Sequence, residues 1–403
     1  MSHRAYDVAI FVDGMSLPPK EGITVHIHEL AADLSTGYGL NCLVVAADRG
    51  RATPEDCRRQ PYDCLLLPSG AYYDRAAVAD VIAGITPGAV INYNPYYCAT
   101  VLGPVTLEAE IPLVVEHHDE QGALGFLNAD DAETAFNVGA QHRANEFASL
   151  IRVMSRHDHA AIRASEPESV ARKLVWLPVA LGPAAASGHA ARDRRTALFV
   201  GNCGYPPNAE AARIIAEEVA PLAPEWNFVL AGRGTDELRR QPPNVLGLGE
   251  VGELEPLLAT ATVGISPLTA GSGMKIKILT YLRAGLPVFA TPISLQGYPE
   301  SPAFRVCPDS TALVRTLRGV DPATAERMSA EAGRLFATSF STEVVNRALV
   351  ELLRTLRPDP EPSLRGIVHP AIDLDRLHWL REDQNCRTNT PAQQLFTAKT
   401  GEK

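Results

Sequence analysis

Short apolar runs alternate along the chain with longer segments in which apolar residues return at helical spacing. The run Val8–Val12 is uniformly apolar, whereas in residues 23–34 the apolar positions recur every three or four residues. Runs of the first kind are typical of buried strands, and the second period is typical of amphipathic helices. Further strand-type runs occur at residues 42–46, 64–67, 90–93, 113–116, 150–154 and 173–177, with helical periods at 76–85 and 134–149.

The same alternation starts again after an aperiodic segment. Residues 179–195 are rich in Ala, Gly, Ser, His and Arg, carry no period and are predicted to form a linker. Beyond them, strands are predicted at 198–200, 226–231, 263–268 and 287–290, and helices at 209–219, 254–259 and 275–284. Strands joined by helices form parallel sheets, because parallel pairing requires a crossover. The pattern predicts an α/β fold of two doubly wound, Rossmann-like domains, with ligands bound at strand ends facing an inter-domain cleft.

This interpretation divides the chain into four segments. The N-terminal domain is predicted at residues 1–180 and the second domain at 190–340. Helices are predicted at 323–336 and 342–356, and residues 341–382 are assigned to C-terminal helices that can return to the N-terminal domain, including a short one near 373–381. Residues 383–403 are polar and aperiodic, so they are predicted to form a poorly ordered tail.

Composition narrows the class of protein. The 403 residues carry a formal net charge of −10, which disfavours a broad nucleic-acid surface. No run approaches the ~18 apolar residues of a membrane span, so neither a signal peptide nor stable membrane insertion is expected. The 7 cysteines form no CxxC pair, which favours reduced thiols over a disulfide framework or a zinc cluster. These features predict a cytoplasmic protein, and a homodimer is compatible with them.

One strand-to-helix junction carries the features of an anion site. After the strand that includes Ile265, the chain runs through Gly271-Ser272-Gly273 into a helix that begins near Lys275 and Lys277. Glycines let the backbone approach a ligand closely, and the free N–H groups of a helix N-terminus favour an anion. The spacing is neither a Walker loop nor a complete G-x-G-x-x-G. On these residues alone, a diphosphate site and a tight turn with solvated lysines are equally favoured.

Together with other segments, this junction resembles a known family. SPLTAGSGMKIKIL at residues 266–279 is similar to the donor loop of the family-4 GT-B glycosyltransferases. Five further segments resemble that family in the same order, at residues 19–30, 199–208, 229–234, 246–251 and 285–291. The resemblance extends from about residue 6 to 350 and is strongest in residues 196–295.

The resemblance implies a GT-B fold and a retaining glycosyltransferase that moves a sugar from a nucleotide-diphosphate sugar to a small-molecule acceptor. It assigns acceptor binding to the domain at residues 1–180 and nucleotide-sugar (donor) binding to the domain at 190–340. It implies no cofactor and no metal, because lysines and a helix N-terminus neutralise the diphosphate. His118, Asp119 and Lys277 would be the catalytic residues, with His118 touching the donor sugar and Arg233 and Val251 lying near the base. The donor-binding residues would be Gly22, Gly201, Asn202, Arg233, Val251, Gly271, Ser272, Gly273, Met274, Lys275, Lys277 and Thr280.

The chain departs from the family pattern in three respects. Asn202 and the pair Pro207-Asn208 stand where the family often has arginine and lysine, so the diphosphate charge is expected to rest on Lys275 and Lys277. Thr280 stands where a glutamate usually holds the ribose hydroxyls, and a hydroxyl cannot replace that geometry. The usual pair of glutamates eight residues apart is missing. These departures leave the donor open and make a non-catalytic protein conceivable.

Polar residues also follow two strands of the N-terminal half. Residues 116–120 read Glu-His-His-Asp-Glu, for which contact with the sugar is favoured over a structural loop and over a metal site. Asn94 and Tyr96 follow another strand, where an acceptor pocket and an ordinary turn are equally favoured. With His117 they are the candidate acceptor-binding residues. His26 and His28 lie on different faces of a helix, one toward the cleft and one toward solvent, so no metal site is predicted.

Two other functions on the same fold are compatible with parts of the sequence. A sugar-nucleotide 2-epimerase on the same fold needs convergent carboxylate and histidine side chains, which the region of Asp119 and Glu120 offers. A non-catalytic binding module is supported by Thr280 and the missing cations. A dinucleotide oxidoreductase is disfavoured, because no junction carries the full glycine fingerprint. The Ala-, Arg- and Pro-rich composition suggests a high-GC bacterium, which predicts a role in specialised-metabolite, such as antibiotic, biosynthesis.

Overall fold

The computed structural model describes residues 6–19, 22–127, 130–183, 195–238 and 242–356. Most of the predicted linker, the short helix predicted near 373–381 and the predicted tail at 383–403 lie outside these residues. Within them, no helix is both long and apolar enough to cross a membrane. The chain divides into two compact units, one made of the described residues up to Leu177 and from Asn346 onward, the other of Pro178–Val345.

The first unit contains a parallel sheet that, among the described residues, has seven strands in the order β3-β2-β1-β4-β5-β6-β7. This order, in which the chain winds outward in both directions from β1, is that of a doubly wound fold. The strands are β1 (Val8–Val12), β2 (Cys42–Asp48), β3 (Asp63–Pro68), β4 (Val90–Asn92), β5 (Leu113–His117), β6 (Leu150–Val153) and β7 (Leu174–Trp176).

Both faces of this sheet are covered, as the uniformly apolar strands require. Successive side chains of a strand point to opposite faces, so Ala9 and Phe11 pack in one apolar cluster and Val8 and Ile10 in the other. The helices that cover the faces are α1 (Gly22–Thr36), α2 (Pro54–Arg58), α3 (Ser69–Tyr72), α4 (Arg75–Ile85), α5 (Pro95–Tyr97), α6 (Gly103–Glu108), α7 (Asp131–Phe147), α8 (Arg156–Ser165) and α9 (Glu168–Ala171).

The second unit repeats the architecture with a parallel sheet of six strands in its described residues, in the order β10-β9-β8-β11-β12-β13. The strands are β8 (Thr196–Val200), β9 (Asn227–Ala231), β10 (Val245–Gly247), β11 (Val263–Ser266), β12 (Val288–Ala290) and β13 (Phe304–Val306). The helices are α10 (Pro206–Ile214), α11 (Glu255–Thr260), α12 (Ile276–Arg283), α13 (Ser310–Gly319) and α14 (Pro322–Ser339). Trp226 lies in the core of this unit, where its indole N–H donates to the carbonyl of Leu317 at 3.0 Å.

The last described helix belongs to both units. Helix α15 (Thr342–Thr355) begins at the end of the second unit and continues, from Asn346, in the first. Leu349 and Val350 are buried in the cluster that also holds residues of α1, and the side-chain amide of Asn346 donates to Asp33 Oδ2 at 2.8 Å. The C-terminal end of α15 is therefore part of the core of the first unit.

Candidate functional site

The glycine-rich loop joins β11 to α12 in the second unit. Gly271 and Gly273 have φ angles of +136° and +65°, in the left-handed region that side chains disfavour. The ammonium group of Lys275 donates to the carbonyls of Ser272 at 2.9 Å and of Gly273 at 2.8 Å. Lys275 thus closes its own loop with its side chain at the N-terminus of α12.

Lys277 lies in the first turn of α12, and its side chain contacts residues of β8 and of the start of α10. Its ammonium group donates to Asn208 Oδ1 at 2.6 Å and lies 4.3 Å from the centre of the Phe199 ring. Among the described residues no carboxylate pairs with it. Burial lowers the pKa of Lys277 to about 7, and the nearby positive charge of Lys275 acts in the same direction. A bound anion would reverse this shift and stabilise the charged amine.

Ser272 has a buried polar group that lacks a hydrogen-bond partner among the described residues. Its side chain is 8% exposed, and its hydroxyl oxygen has no hydrogen-bond partner within the described part of the chain. Buried polar groups are nearly always hydrogen-bonded in native proteins, so an orphaned hydroxyl requires an explanation. A ligand in the loop would provide the partner.

Side chains behind the loop hold it in place. The hydroxyl of Thr291 donates to the carbonyl of Leu268 at 2.7 Å, and the hydroxyl of Ser294 donates to the carbonyl of Ser266 at 2.6 Å. Tyr298 fixes the other end, since its hydroxyl donates to the carbonyl of Lys275 at 3.0 Å. The loop is therefore built by the fold before any ligand arrives.

Helix α12 is tied to the sheet by Tyr281. Its hydroxyl accepts a hydrogen bond from the backbone N–H of Val200 at 2.8 Å, and its ring fills the space where a Cβ on Gly264 would stand, 2.4 Å away. Thr280, predicted to replace the ribose-binding glutamate, is buried, and its hydroxyl donates to the carbonyl of Ile276 one turn earlier at 3.1 Å. That hydrogen bond occupies the Thr280 proton inside the helix.

The remaining predicted donor residues of this unit follow neighbouring strand ends. Gly201 and Asn202 follow β8, Arg233 follows β9, and Val251 lies in the loop after β10. The carbonyl of Asn202 accepts from the side-chain amide of Asn208 at 3.0 Å, which links it to Lys277. Since carboxyl ends of parallel strands share one edge of a sheet, the second unit gathers these loops on that edge. Met274 is buried in the glycine loop itself.

Gly232 shows how closely two of these loops approach. Its φ is +131°, and a Cβ built on it would lie 2.2 Å from the carbonyl oxygen of Gly201, a backbone atom that cannot rotate away. We expect Gly232→Ala to lower the free energy of unfolding by roughly 1–3 kcal/mol, from overpacking and backbone strain. Urea unfolding measures this, with Gly252→Ala as the matched control, because nothing lies within 4 Å of the corresponding Cβ. Equal stability of the two variants would contradict the contact.

In the first unit, polar side chains from three elements meet at a buried carboxylate, a group called here the Glu116 cluster (His26, Glu116, His118 and Arg152). Glu116 and Arg152 are fully buried, and the guanidinium donates to Glu116 Oε1 at 2.5 Å. His26 of α1 places Nε2 3.2 Å from the other carboxylate oxygen, Oε2, whereas Nε2 of His118 lies 3.9 Å from it.

The charges in the Glu116 cluster follow from these contacts. Burial alone would raise the pKa of Glu116, but Arg152 and His26 outweigh it and hold this pKa well below its ordinary value. Burial lowers the pKa of His26 to about 4, against the attraction of Glu116. At neutral pH Glu116 is therefore a carboxylate paired with the Arg152 guanidinium, and His26 is neutral with its Nε2–H directed at Glu116.

The same side chains could bind a metal ion by their chemistry. One ligand atom each from His26, Glu116 and His118 lies within 4.8 Å of the others. Arg152 already balances the carboxylate, so a divalent ion would add positive charge to a buried, neutralised group. The sequence-based expectation that no metal is required stays a prediction.

The other predicted residues of the first unit take structural positions. His117 is 1% exposed, and its Nε2 lies 2.6 Å from Asn145 Oδ1. Asn94 caps α5, its side chain accepting from the N–H groups of Tyr96 at 3.0 Å and of the next residue at 3.2 Å. The ring of Tyr96 stacks on Phe136 with centres 5.6 Å apart. These contacts give each side chain a role inside the unit, and acceptor binding by them stays a prediction.

Three further residues complete the predicted set. Gly22 is exposed at the first position of α1, and Asp119 is partly exposed after β5. His28 is partly buried and places Nδ1 3.1 Å from the hydroxyl of Tyr62. The expectation that one of His26 and His28 faces the cleft and the other faces solvent stays a prediction.

A second titratable pair joins α7 to the end of α8. His142 Nδ1 lies 2.8 Å from Glu166 Oε1, and this hydrogen bond raises the pKa of His142 despite its partial burial. A raised histidine pKa contributes stability below the unfolded-state pKa of about 6.5, which is lost as pH rises through the folded value. We expect His142→Gln to cost more unfolding free energy at pH 5.5 than at pH 8.5, as measured by urea unfolding. An equal cost at both values would show that the pair carries no charge.

Comparison with known proteins agrees with this architecture. Residues 194–320 match a family model described as glycosyl transferases group 1. The match covers the glycine loop, Lys277 and the loops after β8, β9 and β10. No curated protein sequence matches the chain. The predicted glycosyltransferase is confirmed at the level of this domain.

Solved structures extend the likeness to both units. HepE from Anabaena, in complex with UDP and glucose, has 16% sequence identity, a TM-score of 0.70 and coverage of 87% of this chain and 100% of that chain. Sucrose-phosphate synthase from Thermosynechococcus elongatus has 14% identity and a TM-score of 0.66, covering 87% of this chain and 98% of that one. A glycosyltransferase from Rickettsia africae has 11% identity, a TM-score of 0.62, and coverage of 88% and 98%. The predicted GT-B fold of two Rossmann-like domains is confirmed.

Proposed function

We propose that the chain is a retaining, metal-independent glycosyltransferase of family 4 that moves a sugar from a nucleotide-diphosphate sugar to a small-molecule acceptor. The observation that carries the proposal is the pair of incomplete polar groups at the start of α12. Ser272 has a buried hydroxyl without a partner, and Lys277 has an ammonium group without a carboxylate in the described residues. A diphosphate would complete both and would lie at the N-terminus of α12, where the helix dipole favours an anion.

UDP-glucose is the first donor to test. HepE was crystallised with UDP-glucose, and its fold extends over 88% of this chain. The acceptor is proposed to be a small molecule of bacterial specialised metabolism, a choice that the composition of the sequence suggested.

The proposed reaction needs little from the protein beyond charge stabilisation. The bond between the anomeric carbon and the diphosphate oxygen breaks, and its electron pair stays on that oxygen. Lys277 and the N–H groups of α12 stabilise the growing negative charge. The nucleophilic atom of the acceptor bonds to the anomeric carbon on the same face, and its proton passes to the departing diphosphate. His118 and Asp119 are kept as predicted contacts of the donor sugar.

A thermal-shift screen with UDP, GDP, ADP, dTDP and CMP, each with and without EDTA, tests donor binding. A ligand at about 100 times its Kd stabilises the native state by about 2.7 kcal/mol, which raises Tm by several degrees. We expect a shift with one nucleoside diphosphate that EDTA leaves unchanged. A shift that EDTA abolishes would overturn metal independence and direct attention to the Glu116 cluster. No shift with any nucleotide would remove the basis of the proposal.

The fate of a bound nucleotide sugar separates transfer from its rivals. A glycosyltransferase releases the nucleoside diphosphate faster when an acceptor is present. A 2-epimerase converts the sugar without an acceptor, and a binding module returns the nucleotide sugar unchanged. Chromatography of UDP-glucose incubated with the protein, with and without a panel of small hydroxyl-bearing acceptors, distinguishes the three.

A further inference from the structure

Two thiols in the first unit lie in contact outside the Glu116 cluster. Cys57 is in α2, Cys64 is in the neighbouring strand β3, and their sulfur atoms are 2.9 Å apart. A disulfide bond is about 2.05 Å long, so the separation must shrink by less than one ångström. Both are free thiols in the structure.

The fold sets up this contact from both sides. Helix α2 has a capping box, in which the Thr53 hydroxyl accepts from the Asp56 N–H at 3.1 Å and the Asp56 carboxylate accepts from the Thr53 N–H at 2.9 Å. The helix is thus fixed directly before Cys57. On the other side, Cys64 is held by the register of β3 against Val44 of β2. The two cysteines are close because these elements are ordered, and a short turn joins them.

We propose that Cys57 and Cys64 form a reversible redox pair that closes to an intramolecular disulfide when the protein meets a peroxide. This adds a modification site to a chain whose spacing of cysteines indicated only reduced thiols. It is independent of the proposed glycosyl transfer.

The chemistry balances with hydrogen peroxide as the oxidant. Cys64, the more exposed thiol, loses its proton and attacks one peroxide oxygen, which gives a sulfenic acid and releases water. The sulfur of Cys57 then attacks Cys64 Sγ and displaces the hydroxyl group, which leaves as a second water with the proton from Cys57. Two thiols and one peroxide become one disulfide and two waters.

The surroundings make the pair slow to oxidise rather than inert. Burial raises the pKa of Cys64, and the adjacent Cys57 raises it further, so the reactive thiolate is scarce at neutral pH. We therefore expect the rate of closure to increase with pH between 7 and 9. Once formed, the bond closes a short loop of the unfolded chain, and a rise in Tm of roughly 5 °C is expected.

Peptide mapping of the whole chain tests the proposal directly. Arg58 and Arg59 lie between the two cysteines, so trypsin separates them onto different peptides unless a disulfide links them. After peroxide treatment of the folded protein we expect a linked pair of peptides that dithiothreitol separates, and a count of denatured thiols that falls by two from 7. Cys57→Ser should abolish the linked pair.

Cys42 provides the matched control. It is also buried in the first unit, on β2, but no sulfur contact joins it to the pair. Cys42→Ser should leave the linkage intact. The proposal is overturned if Cys64 is oxidised only to sulfinic acid without a link, if the link forms equally fast in urea, or if Cys42 replaces Cys57 in it. Because the wild-type protein itself is mapped, a variant that fails to fold does not remove the test.

Discussion

Replacing Arg152 by methionine is expected to lower the free energy of unfolding by about 3–5 kcal/mol, because it leaves the Glu116 carboxylate buried without its cation. Both side chains are fully buried and hydrogen-bonded. With the guanidinium removed, proton binding by Glu116 or His26 becomes the remaining way to neutralise the cluster. In the folded variant the pKa of Glu116 or His26 is therefore higher than in the wild-type protein. Protonation at low pH relieves the unpaired charge, so the loss of unfolding free energy should be smaller at pH 5 than at pH 8. Urea unfolding at the two pH values measures both effects.

The double variant Glu116→Gln/Arg152→Met separates charge from packing. Glutamine keeps an oxygen that can accept from His26, and the pair then carries no charge. We expect the double variant to be more stable than Arg152→Met alone, since truncating one partner costs more than removing both charges. If the double variant is the less stable of the two, the Glu116 cluster is held by shape and not by charge.

If the proposed function holds, replacing Lys277 by methionine is expected to weaken donor binding by about 2–5 kcal/mol, at least a 30-fold increase in Kd, because the buried amine proposed to pair with the diphosphate is lost. Stability should change little by comparison, since its partner Asn208 is neutral and keeps its bond to Asn202. Calorimetric titration with a nucleotide-diphosphate sugar measures the affinity, and Lys277→Arg is the control that keeps a charge.

The pH dependence gives Lys277 a second signature. The pKa of Lys277 is about 7 without a ligand, and an anion binds the charged form of its amine. Above that pH, Lys277 must therefore take up a proton when the anion binds. The affinity should fall as pH rises from 6 to 9, and this slope should vanish in Lys277→Met. UDP-glucose is preferable to UDP in this titration, because the terminal phosphate of UDP itself titrates at about pH 6. A wild-type slope that survives the substitution would assign the proton to another group.

The long elements of the fold could be predicted because their apolar period is strong. Residues 23–34 lie in α1 as expected, and all but the last two of residues 134–149 lie in α7. Some short elements have no counterpart in the prediction, because three to five residues hold little pattern unless all of them are apolar. Strand β13 has only one buried residue of three, so it lacks an apolar run. Helix α2 is marked in the sequence by its capping residues and not by apolar spacing.

The glycine loop with Lys277 and the Glu116 cluster also differ in how well the sequence predicts them. The glycine loop and Lys277 are contiguous in sequence, so one motif revealed them. The Glu116 cluster joins side chains from α1, β5 and β6, and Glu116 lies opposite Arg152 only through the register of two parallel strands. No local pattern encodes that register. Asn208 was noted only as a departure from the family pattern, yet it is the partner of Lys277.

The path of α15 also sets an order of events during synthesis on the ribosome. The first unit is interrupted after Leu177 and resumes at Asn346, so Leu349 and Val350 complete its core only after the intervening unit has been translated. At about 5–20 residues per second, that interval lasts roughly 10–30 s. Throughout it, the apolar surface of α1 that α15 later covers is open to water, to chaperones or to other nascent chains.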